Sequence, residues 1–95
     1  MSVQTVGIAG LGLLGRGIAT CLLSRGFRVI GYTLPETRDE ARRHISHAID
    51  DLVTRGGFPP ALREEWSTRY VEAASIADLA PSDFVIESFF EDLDA

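Results

Sequence analysis

Two kinds of hydrophobic pattern alternate along the chain: short apolar runs, and longer segments in which apolar residues recur every three or four positions. Short runs bounded by glycine or proline are typical of buried strands, whereas the longer repeat is typical of amphipathic helices. The short runs predict strands at 3–9, 27–33, 70–74 and 84–86. Strands that alternate with helices in this way predict an α/β fold with a parallel sheet.

Two longer helices are predicted between the first three strands. Leu14, Ile18 and Leu22 follow one another at i,i+4 spacing, which predicts a helix over residues 13–24. A second helix follows the second strand and ends at the glycine pair 56–57. Its apolar stripe consists of Ala41, Ile45, Ala48, Ile49, Leu52 and Val53. A shorter helix and a single helical turn are predicted before the third and fourth strands respectively.

The segment between the first strand and the first helix is the most informative for function. It reads Gly-Leu-Gly-Leu-Leu-Gly from Gly10 onward, a G-x-G-x-x-G pattern in the strand–turn–helix context that gives the pattern its meaning. Gly10 allows a tight turn, Gly12 lacks the Cβ that would keep a pyrophosphate from the backbone, and Gly15 lets the helix lie close on the sheet. The backbone N–H groups of the first helical turn, at Leu13 and Leu14, favour a diphosphate. We therefore predict a dinucleotide site; the alternative is a turn whose glycines serve packing alone.

The end of the second strand bears on the choice between NAD and NADP. A site for NAD normally has Asp or Glu here, which accepts hydrogen bonds from the ribose hydroxyls. Thr33 occupies this place, and its hydroxyl neither carries charge nor repels a 2′-phosphate. Glu36 is near enough in sequence to reach back. Positive charge for a 2′-phosphate is available from Arg38, Arg42 and Arg43. On the residues alone, the choice between NAD and NADP stays open.

Composition narrows the classes of function. The 95-residue chain has a formal net charge of −5, which disfavours nucleic acid and anionic membrane surfaces as partners. It contains no run of about 20 apolar residues, so no membrane span is predicted. The single cysteine, Cys21, cannot form an internal disulfide, and a cytoplasmic location is the default expectation. His44 and His47 are interpreted as solvated helix residues, so no metal site is predicted.

Two segments together resemble one protein family. The sequence Gly-Leu-Gly-Leu-Leu-Gly-Arg-Gly-Ile-Ala at 10–19 and the sequence Val-Ile-Glu-Ser-Phe-Phe-Glu-Asp-Leu at 85–93 are similar to the N-terminal NAD-binding domain of the 3-hydroxyacyl-CoA dehydrogenases. In that family the second segment reads Val-Ile-Glu-Ala, then two residues and Glu-Asp/Asn-Leu, so Ser88 stands in place of an alanine. The long stretch between 33 and 70 also resembles this family rather than the β-hydroxyacid dehydrogenases.

The resemblance implies a Rossmann-type, doubly wound parallel sheet with about four strands in the order 3-2-1-4, which is incomplete relative to six strands. Residues 1–95 would form the N-terminal part of the dinucleotide-binding domain, with the catalytic and dimerisation part outside this chain. The implied activity is nicotinamide-dependent oxidation of a 3-hydroxyacyl-CoA in fatty acid metabolism, with NAD as cofactor and NADP possible. The complete protein is expected to be a homodimer. The alternatives are a non-catalytic dinucleotide-binding sensor or assembly module and an enzyme of the β-hydroxyacid dehydrogenase type.

The loop after the fourth strand completes the predicted site. In a doubly wound sheet the ligand lies across the carboxyl ends of strands one and four, so Ser88 and Phe89 should face the glycine loop. By resemblance, Glu91 contacts the nicotinamide ribose; the alternative for this residue is a solvated loop acid. No catalytic residue is predicted, because neither histidine matches the family's histidine motif, and residues 1–95 alone are expected to be inactive. The predicted cofactor-binding residues are Gly10, Gly12, Leu13, Leu14, Gly15, Thr33, Ser88, Phe89 and Glu91.

Overall fold

The computed structural model describes residues 4–88, in which four parallel strands pair in the order β3-β2-β1-β4. The strands are β1 Thr5–Ala9, β2 Arg28–Tyr32, β3 Tyr70–Glu72 and β4 Phe84–Glu87. The predicted order is confirmed, and β1, β2 and β3 are shorter than their predicted runs by one or two residues at one or both ends. Since β1 lies between β2 and β4, the strand order reverses beside β1, where a doubly wound sheet binds its ligand.

The helices connect the strands as the hydrophobic periodicity predicts. They are α1 Leu13–Ser24, α2 Arg38–Gly56 and the single-turn α3 Leu62–Glu65, with 3₁₀ turns at Pro35–Thr37, Trp66–Thr68 and Ile76–Leu79. The predicted bounds of α1 are confirmed at both ends. Gly57, at φ +78°, follows α2 and donates its N–H to the carbonyl oxygen of Leu52. This left-handed conformation favours glycine and explains why α2 ends there.

Alternate residues of the strands bury two different faces of the sheet. Val6, Ile8 and Val29 pack in the main core with residues of α1 and α2 such as Leu23 and Ile45. A smaller cluster on the other face contains Ala9, Ala73 and Leu79. The two larger helices therefore cover one face of the sheet, and the 3₁₀ turn at 76–79 packs against the other.

The buried side of α1 differs from the predicted apolar stripe. Gly15, Ala19 and Leu23 are buried, whereas Leu14 is 64% exposed. Small residues at i and i+4 let the helix axis come close to the sheet, so Gly15 and Ala19 lie on the inward face with Leu23, while Ile18 and Leu22 pack against the core from partly buried positions. Leu14, together with Leu13 at 75% exposure, is left on the surface beside the glycine loop.

Asp83 ties the start of β1 to the loop before β4. Its carboxylate accepts hydrogen bonds from the backbone N–H groups of Thr5 and Gln4, both at 2.8 Å. These two donors favour the charged form and lower the pKa of the Asp83 carboxyl below its usual range. Asp83 also donates its own N–H to the carbonyl oxygen of Thr5 at 2.8 Å, so one residue holds the β1–β4 pairing at its entry end.

No helix within residues 4–88 combines the length and the hydropathy needed to cross a bilayer. The same residues contain no group of three His, Cys, Asp or Glu side chains that could hold a metal ion. His44 and His47 are exposed on α2, and Cys21 is exposed on α1.

Candidate functional site

The junction of β1 and α1 is built around a glycine in a conformation that favours glycine. Gly10 has φ +106° and turns the chain away from the end of β1. Its N–H donates to the carbonyl oxygen of Tyr32 at the end of β2, at 2.8 Å. The glycine loop is thereby anchored to the neighbouring strand, and the tight turn predicted for Gly10 is confirmed.

Gly15 makes a close contact between α1 and this turn. A Cβ at position 15 would lie 2.0 Å from the carbonyl oxygen of Gly10 and 2.8 Å from the Oγ of Ser88. The first distance is to a backbone atom that cannot rotate away, so the site has no room even for a methyl group. The prediction that Gly15 allows the helix to lie close on the sheet is confirmed.

Ser88 supports the glycine loop from the end of β4. It is buried, and its Oγ donates to the carbonyl oxygen of Gly10 at 2.8 Å. Its N–H donates to the carbonyl oxygen of Ala9 at 2.9 Å, which places it directly beside β1. The expected proximity of Ser88 to the loop is therefore observed, and its hydroxyl proton is used to hold the loop backbone. Phe89 and Glu91, the other predicted residues of this segment, lie outside the described residues.

The N-terminus of α1 presents backbone donors beside the loop. Gly12 precedes the helix in an extended conformation, and no side-chain cap is formed at this end of α1. The N–H of Arg16 donates to the carbonyl oxygen of Gly12 at 2.9 Å, which begins the hydrogen-bond ladder of the helix. The N–H groups of Leu13, Leu14 and Gly15 precede that bond and have no partner within the helix. Such a helix end favours an anion.

A cavity of about 190 Å³ joins the glycine loop to the end of β2. Its lining residues come from the loop, from α1 and from the segment after β2: Gly10, Leu11, Gly12, Arg16, Thr33, Leu34 and Thr37. The structure thus brings together three of the predicted residues, which are Gly10, Gly12 and Thr33. Arg16 and Thr37 are functional candidates that the sequence analysis missed.

The direction of the hydrogen bonds at Thr33 follows from its neighbour. The Oγ1 of Thr37 donates to the carbonyl oxygen of Leu34 at 3.0 Å. A hydroxyl has one proton, so in the contact of 3.0 Å between the two threonine oxygens the donor is Thr33. Thr33 Oγ1 therefore retains only acceptor capacity toward the cavity. It offers a ribose hydroxyl the acceptor that an acidic residue would offer, without the negative charge.

Arg16 brings a positive charge to the same cavity. Its side chain is only 10% exposed, and its Nε donates to the carbonyl oxygen of Leu11 at 3.0 Å. Its Nη1 lies 3.6 Å from the Oε2 of Glu40, whose side chain is 61% exposed. The sequence contained one signal for this residue: Arg16 directly follows the last glycine of the motif and so lies next to the face of α1 that packs on the sheet.

The three arginines that the sequence analysis offered as a source of charge differ in their surroundings: Arg42 is engaged elsewhere, Arg43 is exposed, and Arg38 is half-buried with no hydrogen-bond partner for its Nε among the described residues. The Nε of Arg42 donates to Glu72 at 3.1 Å, and its guanidinium lies over the rings of Trp66 and Tyr70 at 5.7 and 5.3 Å. Burial, with Glu72 nearby, raises the pKa of Tyr70 to about 12, although Arg42 and Arg38 act in the opposite direction. The cavity lining includes none of these three arginines, nor Glu36, the acid considered for the ribose hydroxyls.

A family model described as 3-hydroxyacyl-CoA dehydrogenase, NAD binding domain, matches residues 5–95. The chain belongs to this family. The resemblance in the glycine motif and in the segment after residue 84 is thereby confirmed, and so are the Rossmann-type fold and the assignment to an oxidoreductase family that binds a nicotinamide dinucleotide.

Individual members of the family support the same assignment. The 3-hydroxyadipyl-CoA dehydrogenase of Escherichia coli (strain K12) is 34% identical over 99% of this chain and 20% of its own length. The crystal structure of 3-hydroxybutyryl-CoA dehydrogenase from Escherichia coli K12 matches with a TM-score of 0.85 at 34% identity, again over 99% of this chain and 20% of that one. That of (S)-3-hydroxybutyryl-CoA dehydrogenase from Ralstonia eutropha matches with a TM-score of 0.85 at 28% identity, over 98% and 33%. The chain therefore spans a fifth to a third of the length of these family members.

Proposed function

We propose that this chain provides the cofactor-binding part of a nicotinamide-dependent dehydrogenase that oxidises the 3-hydroxy group of a 3-hydroxyacyl-CoA. The observation that carries the proposal is the closure of α1 onto the glycine turn, where the position of Gly15 excludes even a methyl group. This contact places the helix N-terminus, with its unpaired N–H groups, next to the cavity that leads to β2. Membership of the 3-hydroxyacyl-CoA dehydrogenase family supports the reaction class.

The residues present fit a dinucleotide. The backbone at Gly12 and the N–H groups of Leu13 and Leu14 would hold the diphosphate, and the acceptor at Thr33 would meet the adenosine ribose. Ser88 would act indirectly, by holding the carbonyl of Gly10 in place. When bound, the nicotinamide supplies a hydride acceptor. We extend the proposal to the nicotinamide half through Phe89, because it follows the fourth strand in the sequence, and through Glu91 on the resemblance.

NAD is the cofactor we propose as the preferred one. A ribose 2′-hydroxyl is a hydrogen-bond donor, and Thr33 Oγ1 is left as an acceptor by its bond to Thr37. The oxygens of a 2′-phosphate at physiological pH are hydrogen-bond acceptors, and an acceptor oxygen such as Thr33 Oγ1 cannot bond to them. The name of the family that matches the chain supports the same choice.

The activity of the complete protein is also a proposal, since the chain spans only part of its relatives. We propose that residues 1–95 form the N-terminal part of the dinucleotide-binding domain and that the acyl-CoA substrate meets residues outside this chain. A cytoplasmic homodimer is the proposed form of the complete protein. Oxidation of a 3-hydroxyl needs a base within about 3 Å of its proton, and we assign no residue of 1–95 to that role.

Titration of the 95-residue chain with NADH, followed by fluorescence, tests the proposal. Gly12→Val should weaken NADH binding at least tenfold, because branched carbons would occupy the approach of the diphosphate to the backbone. Gly17→Val is the matched control, since Gly17 is exposed on α1, the helix that Gly12 precedes, and a Cβ there meets nothing within 4 Å. Equal affinity of the Gly12→Val variant and the unaltered chain would show that the loop is not the site.

A second measurement tests where the catalytic residues lie. The purified 95-residue chain, with NAD and 3-hydroxybutyryl-CoA, should produce no NADH above background. Steady NADH production would contradict the proposal that the base and the acyl-CoA site lie outside residues 1–95.

A further inference from the structure

We propose that Arg16 forms a subsite for the 2′-phosphate of NADP, so that this chain binds NADP with an affinity within tenfold of that for NAD. The proposal rests on the dinucleotide function proposed above and concerns which nucleotides the site accepts. It is carried by the charge of Arg16, by its place in the cavity and by the neutral residue at the end of β2.

The charge of Arg16 is buried and only weakly compensated. Burying a guanidinium is costly unless a charged or hydrogen-bonding partner offsets the loss of water. Glu40 Oε2 lies 3.6 Å from Nη1, which is longer than a hydrogen bond, and the Glu40 side chain is largely exposed. A bound phosphate oxygen would therefore be a better partner for the guanidinium than Glu40 is.

The position of Arg16 matches the part of the site that distinguishes the two cofactors. Arg16, Thr33 and Thr37 line the same cavity, and Thr33 stands where a site for NAD has its ribose-binding acid. The bond from Nε to the carbonyl oxygen of Leu11 fixes the orientation of the planar guanidinium. An arginine held in this way is prepared for a phosphate, because little rotational freedom remains to be lost on binding.

The residue that would exclude NADP is replaced by a neutral one. A carboxylate at the end of β2 repels a 2′-phosphate, whereas Thr33 carries no charge. The acceptor oxygen of Thr33 still serves the ribose of NAD, so neither nucleotide is rejected. Glu40 is the nearby negative charge that works against the phosphate, and it competes for the same guanidinium.

The test compares NADPH with NADH, and adenosine 2′,5′-bisphosphate with AMP, in fluorescence and calorimetric titrations of the 95-residue chain. NADPH should bind within tenfold of NADH and the bisphosphate within tenfold of AMP, and the ratio of bisphosphate affinity to AMP affinity should fall as salt rises. Glu40→Gln should strengthen NADPH binding about threefold or more and leave NADH unchanged. Asp39→Asn removes the same charge from the neighbouring exposed residue of α2 and should change neither affinity.

Arg16→Met should weaken NADPH binding at least tenfold more than it weakens NADH binding, and Arg16→Lys should restore part of that difference. If the substitutions at the buried Arg16 prevent folding, as judged by circular dichroism, the NADPH/NADH affinity ratio of the exposed Glu40→Gln variant still tests the proposal. NADPH binding more than tenfold weaker than NADH binding, or an NADPH/NADH ratio unchanged by Glu40→Gln, overturns the proposal. If the unaltered chain bound neither NADH nor NADPH, this result would instead overturn the dinucleotide function itself.

Discussion

The two ends of the candidate site are built in different ways. At the β1–α1 junction the geometry is set by backbone atoms and by missing side chains: Gly10 at φ +106° and Gly15 packed against its carbonyl oxygen. At the end of β2 the surroundings are set by side chains from separate elements, namely Thr33, Thr37 and Arg16.

This difference separates two properties of the site. The backbone contact at Gly15 leaves no space for a methyl group, so under the proposed function diphosphate binding depends on the same contact that packs α1 on the sheet. Side chains at the edge of a cavity can change without disturbing the sheet, as Thr33 in place of an acid shows. Under the function proposed above, the glycine loop determines whether a dinucleotide binds and the end of β2 determines which one.

The largest effect on stability should come from adding one methyl group at Gly15, in the β1–α1 junction. Gly15→Ala places a Cβ 2.0 Å from the Gly10 carbonyl oxygen, so we expect the free energy of unfolding to fall by about 3 kcal/mol. Gly17→Ala, two residues along the same helix with open space around it, should raise this free energy by roughly 0.5–1 kcal/mol. Urea unfolding of both variants measures the contrast, and similar values for the two would contradict the argument from close packing.

A change of charge at the end of β2 should alter the selectivity between NADH and NADPH and leave the fold intact. Thr33→Asp should raise the ratio of NADH to NADPH affinity at least tenfold, because the carboxylate accepts from the ribose hydroxyls and repels the 2′-phosphate. Thr33→Ser keeps the hydroxyl and should leave the ratio within twofold. Parallel titrations of the two variants measure the ratio. An unaltered ratio in the Thr33→Asp variant would mean that Thr33 does not line the adenosine pocket.

The hydrogen bond from Ser88 to the glycine loop should contribute less to stability than the close packing of Gly15 against that loop. Ser88→Ala removes one hydrogen bond to the Gly10 carbonyl oxygen and should lower the free energy of unfolding by about 1 kcal/mol. Combining it with Gly15→Ala should not restore stability, because the contact of 2.0 Å to the backbone oxygen remains. Recovery of stability in the double variant would show that the Ser88 hydroxyl, rather than the backbone, excludes a side chain at position 15.

The smallest effect on stability is expected at Asp83, which lies outside both ends of the candidate site. The lowered pKa of this carboxyl means that the charged form is favoured in the folded state, so its contribution is present above the pKa of the unfolded chain. That contribution is lost as the pH falls through the lower pKa of the folded state. Unfolding curves of the chain and of Asp83→Asn should therefore differ most at neutral pH and converge in acid. A difference that persists unchanged at low pH would contradict this assignment.

The parts of the protein that could be predicted from sequence are those governed by local rules. Both ends of α1 and the close approach at Gly15 follow from glycine placement and hydrophobic period, whereas the strand order was implied by the family resemblance. The exposure of Leu14 was not predicted, because i,i+4 spacing shows that residues share a face without showing which face meets the sheet. Small residues at Gly15 and Ala19 decided that question by letting the helix come closer.

What the sequence by itself determined is the α/β framework and the glycine turn, since glycine's freedom from a Cβ acts through bonds and immediate neighbours. Only the tertiary structure decided the properties of the β2 end. The acceptor role of Thr33 depends on Thr37 using its single proton elsewhere, and the place of Arg16 depends on α1 lying against the loop. The bonds among Thr33, Leu34 and Thr37 span three or four residues, and their direction depends on the backbone conformation of the 3₁₀ turn, which a residue pattern does not specify. The meeting of Arg16 with Thr33 and Glu40 joins segments that are distant in the chain, which is why a linear pattern does not contain it.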